Sequence, residues 1–202
     1  MKNYNILIVY LLIVLIISFI LSINIQNVFD KIIFFWLIFD ILIGIFEGLL
    51  FFKYDYIISE SKTEIQDNIM KKDIPFKYSF HHNYWLELWK EYGLNCDPRY
   101  NEEKNLVHWI EIIHAVTCIP FLYFVYKYIA NKVFTKMDGI YMIIISIIHI
   151  FGTIIYLISL YYNTEKNIEK ELSNRYYIYK STNYFWLLIP LLILVKGINI
   201  VK

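Results

Sequence analysis

Five long apolar runs constrain this chain more than any other feature of its sequence. A helix that crosses a bilayer needs about 20 predominantly apolar residues, and each run approaches or exceeds that length. The composition agrees, because 58% of the 202 residues are hydrophobic and the mean hydropathy is +0.48, outside the ordinary range of soluble domains. We therefore predict one all-α integral membrane domain over 1–202. Its transmembrane helices are expected at 5–24, 31–53, 105–130, 139–162 and 178–201.

The first apolar run has a second interpretation as a cleaved signal peptide. It reads ILIVYLLIVLIISFILSI at 6–23, with only Lys2 before it and no small-residue cleavage site after it. Its length is also at the upper limit for the apolar part of a signal peptide. We therefore favour a helix that is retained in the membrane.

The long loop at 54–104 combines a polar half with an aromatic half. The polar half, SESKTEIQDNIMKKD, is expected to be exposed. In the segment 81–93, Trp85, Leu88, Trp89 and Tyr92 fall at helical spacing. This pattern predicts an amphipathic helix on the membrane surface, in a position suited to a lid.

Charge and cysteine usage exclude several classes of protein. A net charge of +1 argues against a nucleic-acid partner. The two cysteines, Cys96 and Cys118, do not make a disulfide framework or a metal site. We expect neither a metal nor a cofactor.

Three acidic residues lie inside the predicted spans: Asp40, Glu47 and Glu111. An ionisable group at membrane depth costs several kcal/mol unless it is paired, neutral or facing a cavity, so each is a candidate functional residue. Asp40 and Glu47 are seven residues apart and share a helix face. Glu111 and His114, three apart, share another. The alternative is that these acids only join helices through hydrogen bonds.

The depth of these residues predicts a ligand cavity within the membrane. Glu47 and Glu111 each lie about six residues, or roughly 9 Å, inside the same membrane boundary. Tyr156 and Trp186 fall at the same level on two further helices. In the last helix Asn183 shares a face with Trp186, although a tryptophan near a boundary is also typical of an interfacial anchor. His149, a single histidine on an apolar helix, is interpreted as a packing residue.

Four stretches of the sequence resemble the emopamil-binding protein family, which contains the EXPERA domain: DILIGIFEG, LWKEYGLNCDPRY, EIIHAVTCIP and NYFWLLIP. The family comprises the sterol delta-8, delta-7 isomerase and its isomerase-like relatives. The resemblance implies a five-helix protein of the endoplasmic reticulum that shifts a sterol double bond without a cofactor. It also implies binding of lipophilic amines, and a homodimer packed through the membrane helices is compatible with it.

The resemblance gives roles to five of the candidate residues. Glu47 and Glu111 match the family's two carboxylates, the implied proton donor and acceptor, and Asn183, Trp186 and Tyr100 match residues that the resemblance implies in substrate binding. Spacing and depth add His114, Tyr156 and Asp40 as further candidate substrate-binding residues. A protonated carboxylic acid can deliver a proton to the double bond, a second carboxylate can accept one, and an indole face can stabilise the intermediate cation.

Two departures from the family leave three functions open. The isomerase has a histidine where this chain has Ile43, and a threonine where this chain has His114. One hypothesis is compensation: the histidine missing at position 43 is replaced by His114 on the neighbouring helix. The first function is a sterol isomerase, the second a non-catalytic binder of sterols or lipophilic amines, and the third a membrane scaffold.

Overall fold

The computed structural model describes residues 3–61, 73–95, 97–101, 105–164 and 183–202. This part of the chain is all-helical, which confirms the predicted all-α class. Two short 3-10 helices, Phe76–Phe80 and Pro98–Asn101, flank the third α-helix. The α-helices of the described residues are α1 Asn3–Leu21, α2 Val28–Ser61, α3 His82–Asn95, α4 Leu106–Thr117, α5 Ile119–Ile129, α6 Lys136–Thr164 and α7 Phe185–Val201.

In the described part of the chain, four helical stretches are long and apolar enough to cross a membrane: Asn3–Leu21, Val28–Asp55, Leu106–Ile129 and Lys136–Ser159. By this measure the chain is a multi-pass membrane protein. α7 is apolar but has 17 residues. Residues 178–182, the start of the fifth predicted span, lie outside the described residues. Most of the polar segment of the long loop also lies outside them. The count of five spans stays a prediction.

The third predicted span is divided in two at Cys118. α4 ends at Thr117 and α5 begins at Ile119, while Cys118 keeps a right-handed helical conformation (φ −74°, ψ −18°). The cause lies in the sequence, because Pro120 has no N–H to donate to the carbonyl four residues earlier. The chain therefore continues across the membrane with a local interruption at this cysteine.

α2 is the central helix, since it contacts α1, α3, α4, α5 and α7. Its residues Phe34 and Leu37 are fully buried in a core that includes Phe121 and Phe124 of α5. The backbone of Lys53 is non-helical, which places a kink beyond the apolar part of α2. Asp40 and Glu47, the two acids within the apolar part of α2, are buried in the interior of the bundle.

α6 and α7 pack closely along their length, and two glycines permit the closest approach. A Cβ atom on Gly139 would lie 2.8 Å from the carbonyl oxygen of Gly197, and one on Gly197 would lie 2.7 Å from that of Gly139. One turn after His149, the Thr153 hydroxyl lies 3.4 Å from the carbonyl oxygen of Trp186. Pro190 leaves that carbonyl without its helical donor, and the Thr153 hydroxyl, whose shorter bond is to the carbonyl oxygen of His149 at 2.9 Å, lies beside it.

α3 is anchored to α1 at its beginning. The Tyr84 hydroxyl donates to Oδ1 of Asn3 over 2.5 Å, and the Tyr10 hydroxyl lies 3.0 Å from that of Ser79. Burial raises the pKa of Tyr84 to about 12, with a smaller contribution from Tyr10, so the phenol remains a donor. These contacts hold α3 against the end of the bundle where α2 carries Glu47.

Replacement of either contact glycine by alanine is expected to destabilise the α6–α7 pair. Gly139→Ala puts a methyl group against a backbone oxygen that cannot rotate away, and such overpacking costs about 1–3 kcal/mol. The measurement is the midpoint of unfolding in detergent. Gly152→Ala on the same helix is the matched control, because its Cβ would meet only Ile110 at 3.7 Å. Equal midpoints for the two variants would contradict the close approach.

Candidate functional site

His114 and Glu47 form the centre of the site. Nδ1 of His114 makes a hydrogen-bonded contact with Oε2 of Glu47. Both side chains are buried, with 8% and 4% of their surfaces exposed. Asn105 is the N-cap of α4, because its side chain accepts hydrogen bonds from the backbone N–H groups of Val107 and His108. This cap fixes the first turn of the helix that carries His114. A carboxylate and an imidazole thus share one proton-bearing contact inside the membrane.

Asp40 lies at the other ring nitrogen of His114, away from Glu47, and is buried in the bundle. Its Oδ1 is 3.3 Å from Nε2 of His114, and its Oδ2 is 3.6 Å from Nδ1 of His149. The two imidazole rings lie 4.5 Å apart between centroids. Asp40 is fully buried, yet neither of its oxygens has a hydrogen-bond partner in the described part of the chain.

Thr117 fixes the orientation of His149. The Thr117 hydroxyl lies 2.7 Å from Nε2 of His149 and 2.9 Å from the carbonyl oxygens of both Ile113 and His114. Because the hydroxyl hydrogen has a backbone acceptor, its oxygen can receive the N–H of His149. The other ring nitrogen, Nδ1, is then the one that faces Asp40.

Cys118 reaches the same group because α2 has a glycine opposite it. A Cβ on Gly44 would lie 2.9 Å from Cβ and 3.0 Å from Sγ of Cys118. The thiol is buried and lies 4.0 Å from Nε2 of His114. Gly44 stands one turn after Asp40 and one turn before Glu47, so the cysteine sits between the two acids.

The second carboxylate, Glu111, is held by Tyr100. The Tyr100 hydroxyl donates to Oε1 of Glu111. The Tyr100 ring stacks on Trp89 of α3 with centroids 5.1 Å apart, and Trp89 stacks on Phe46 of α2 at 4.4 Å. Trp89 also donates from its indole nitrogen to the Phe46 carbonyl oxygen over 3.0 Å. The aromatic half of the long loop therefore packs directly beside the acids.

The loop before α4 contains a buried ion pair, Asp97 with Arg99, and both members are hydrogen-bonded to α6. Arg99 donates to both oxygens of Asp97, over 2.8 and 2.6 Å, and to the Ser159 hydroxyl. Tyr156 donates to Asp97 over 2.5 Å, and the guanidinium lies 4.5 Å above the Tyr156 ring. Tyr156 therefore contacts the loop that positions Tyr100.

Trp186 packs against aromatic residues of α2. The Trp186 ring meets Trp36 and Phe39 edge-to-face, with centroids 4.9 and 5.9 Å apart. The backbone carbonyl of Asn183 accepts from the N–H of Trp186. Of the residues expected at the site, Glu47, Glu111, His114, Asp40 and Tyr100 are together, Tyr156 is linked through Asp97, and Trp186 stands beside α2.

Among the described residues, two sets of side chains have donor atoms close enough to hold a metal ion. One contains Glu47, Glu111 and His114, and the other contains Asp40, His114, Cys118 and His149; in each set the donor atoms lie within 4.8 Å of one another. Sequence reasoning set Cys118 and His149 aside. A signal was present, because Glu111, His114 and Cys118 are spaced i, i+3, i+7 and share one helix face.

Comparisons with known proteins add no relative. No protein-family model, curated protein or solved structure matches the chain. The resemblance to the emopamil-binding protein family therefore stays a prediction from the four quoted stretches.

Removal of the Asp97 charge is expected to loosen the loop that carries Tyr100. Asp97→Asn leaves Arg99 buried without its counter-ion, and breaking such a pair costs about 3–5 kcal/mol. Tyr156→Phe removes one hydrogen bond and should cost about 1 kcal/mol. The measurement is the detergent unfolding midpoint. Glu87→Gln on α3 is the control for loss of a carboxylate, and a similar midpoint for Asp97→Asn and this control would contradict the arrangement.

Proposed function

We propose that the chain is a sterol isomerase of the delta-8 to delta-7 type, acting inside the membrane without a cofactor. The observation that carries the proposal is a pair of carboxyl groups held by different partners. Glu47 is bound to His114 and Glu111 to Tyr100, and the donor atoms of Glu47, Glu111 and His114 lie within 4.8 Å of one another. The proposal includes the fifth span and the cavity, which rest on the apolar runs and on the depth of the polar residues, and residence in the endoplasmic reticulum, which rests on the sequence resemblance.

The reaction needs one proton donor and one proton acceptor. The double bond between carbons 8 and 9 takes a proton at carbon 9, which leaves a positive charge at carbon 8. Loss of a proton from carbon 7 then forms the new bond, so atoms and charge balance. Two carboxyl groups in different environments can hold these opposite protonation states. Burial favours a neutral acid, and a nearby imidazole favours an ionised one.

His114 supports the hypothesis that this chain replaces the family histidine from another helix. Ile43, at the family's histidine position, carries no proton-transfer group. The imidazole of His114 contacts Glu47 from α4 instead. The lid role of α3 is also supported, since Trp89 covers Phe46 one residue before Glu47. A substrate would enter from the bilayer by displacing this aromatic stack.

The second candidate is a non-catalytic protein that binds sterols or lipophilic amines. Ile43 favours it, because the residue type implicated in the family's chemistry is missing there. An ammonium group resembles the cationic intermediate in charge, and buried carboxylates would bind it in either case. The two candidates share a site and differ in turnover.

Isotope labelling is the experiment that separates the two candidates. The chain is expressed in membranes that lack this isomerase, supplied with a delta-8 sterol in heavy water, and the products are analysed by mass spectrometry. The expected product is a delta-7 sterol carrying one deuterium. Glu47→Gln and Glu111→Gln should each lower turnover by about 10²–10⁴-fold, the usual contribution of acid–base catalysis. Glu87→Gln is the control.

Absence of labelled product from folded wild-type protein that still binds a lipophilic amine would reject the isomerase and favour the binder. If the double variant at Glu47 and Glu111 bound amines as tightly as the wild type, both candidates would fail. The scaffold function would then remain.

Restoration of the family residue at position 114 tests the compensation. His114→Thr removes the imidazole that contacts Glu47, so we expect turnover to fall by at least about 100-fold. The double change Ile43→His with His114→Thr should recover part of the loss. A fully active single variant, measured in the same labelling assay, would rule compensation out.

A further inference from the structure

A second cluster of side chains faces the His114 nitrogen that Glu47 does not use. It consists of Asp40 on α2, His114 on α4, Cys118 between α4 and α5, and His149 on α6, and we refer to it as the Asp40 cluster. All four residues are buried, and one donor atom from each lies within 4.8 Å of the others. Three separate segments of the membrane-spanning bundle therefore meet at one point.

Within the Asp40 cluster, Asp40 is the residue whose buried polar atoms lack hydrogen-bond partners. It is 0% exposed, and neither carboxylate oxygen has a hydrogen-bond partner among the described residues. The histidine nitrogens at 3.3 and 3.6 Å are near enough for attraction but do not have hydrogen-bond geometry. A buried polar group without a partner costs several kcal/mol, and more if it is charged. The arrangement calls for a partner that the side chains do not supply.

The hydrogen bonds of the two histidines direct lone pairs towards Asp40. Glu47 accepts at Nδ1 of His114, and Thr117 accepts at Nε2 of His149. In neutral imidazoles the remaining nitrogens, Nε2 of His114 and Nδ1 of His149, then carry lone pairs. These are the two atoms nearest the oxygens of Asp40. Lone pairs and carboxylate oxygens that face each other repel, and a cation bound between them would turn this repulsion into attraction.

We propose that the Asp40 cluster binds a zinc ion. Zinc in proteins takes four ligands in a tetrahedron, with bonds of about 2.0–2.3 Å that place ligand atoms roughly 3.3–3.8 Å apart. Nε2 of His114 and Nδ1 of His149 lie 3.3 and 3.6 Å from different oxygens of Asp40, within this range, and the Cys118 sulfur lies 4.0 Å from Nε2 of His114, slightly beyond it. A mixed set of thiolate, imidazole and carboxylate ligands is typical of zinc.

The charge of the cluster fits a site inside a bilayer. An Asp40 carboxylate and a Cys118 thiolate carry two negative charges, and the two imidazoles are neutral. A divalent cation makes the set neutral overall, which is the state that a low-dielectric environment favours. The thiol loses its proton when zinc binds, as zinc ligation requires.

Groups around the cluster orient the ligands as they do in known zinc sites. A metal-bound histidine usually donates its second N–H to a carboxylate or another oxygen. Glu47 has that position for His114, and Thr117 has it for His149. Gly44 leaves room for Cys118 to approach α2. The other candidate set is less suited, because Glu47 and Glu111 already have partners in His114 and Tyr100.

The proposed ion has a structural role. Four protein ligands leave no open position for a substrate, which is typical of structural zinc. The ion joins α2, α4 and α6 and fixes the His114 ring in the orientation that contacts Glu47. This inference is independent of the isomerase proposal, because zinc content and turnover are measured separately.

Metal analysis and cobalt substitution test the site directly. The full chain is expressed with zinc in the medium, purified in detergent and analysed by mass spectrometry for metals; about one zinc per chain is expected. Protein prepared with cobalt instead should show the visible bands of tetrahedral Co(II) and a thiolate-to-cobalt charge-transfer band. Wild-type protein that contains no zinc and gives no cobalt spectrum would overturn the proposal.

The two cysteines provide a matched pair of variants. Cys118→Ser should abolish the charge-transfer band, while Cys96→Ser should keep it. Retention of the band in Cys118→Ser would assign the thiolate elsewhere and reject the site. Asp40→Asn and His149→Ala should each lose most of the bound zinc, and unchanged zinc in both variants would show adventitious binding and reject the site as well.

Thr117→Val tests the site without removal of a ligand. Valine has a similar shape and leaves the backbone carbonyls in the helix, so the variant should fold. Loss of the bond to His149 should weaken zinc binding about 10–100-fold, the usual effect of a residue that orients a ligand. Competition with a chelator of known affinity measures the change. An unchanged zinc affinity would contradict the assigned geometry.

Discussion

The contact between His114 and Glu47 is the interaction on which the interior of the bundle depends. A carboxyl group at membrane depth is costly without a partner, and α2 carries two of them, Asp40 and Glu47. One imidazole on α4 lies between them, in contact with Glu47 through Nδ1 and with Nε2 3.3 Å from Asp40. Separation of α2 from α4 would remove the partner of Glu47 and leave a second buried carboxyl group without a hydrogen bond.

The interruption of the third span lies at Cys118, which is also a member of the Asp40 cluster. Pro120 ends the regular hydrogen bonding of the third span, and the turn occurs where Gly44 allows the chain to approach α2. Cys118 keeps a helical backbone and follows His114 by one turn, so both side chains lie on the helix face that meets Asp40.

Much of this arrangement could be predicted from the sequence, because hydrophobic length and helical spacing are local properties. The four spans follow from their apolar length, and equal depth suggested that Glu47 and Glu111 would be neighbours. The partners of Tyr156 and Trp186 could not be predicted in this way. Tyr156 bonds to Asp97 on a loop, and Trp186 meets aromatic residues of α2. Both contacts depend on how distant segments fold back, which spacing within one helix does not determine.

The two proposals together assign different roles to the two glutamates. A zinc ion at Nε2 of His114 would fix its proton on Nδ1, where Glu47 accepts it, so Glu47 would remain an acceptor. Glu111 has a hydroxyl donor in Tyr100 and no metal-bound partner, which leaves it the better candidate for the acid. Neither glutamate would need the histidine that the family carries at the position of Ile43. The zinc ion bound to His114 would then determine which glutamate donates the proton and which accepts it, without contacting the substrate itself.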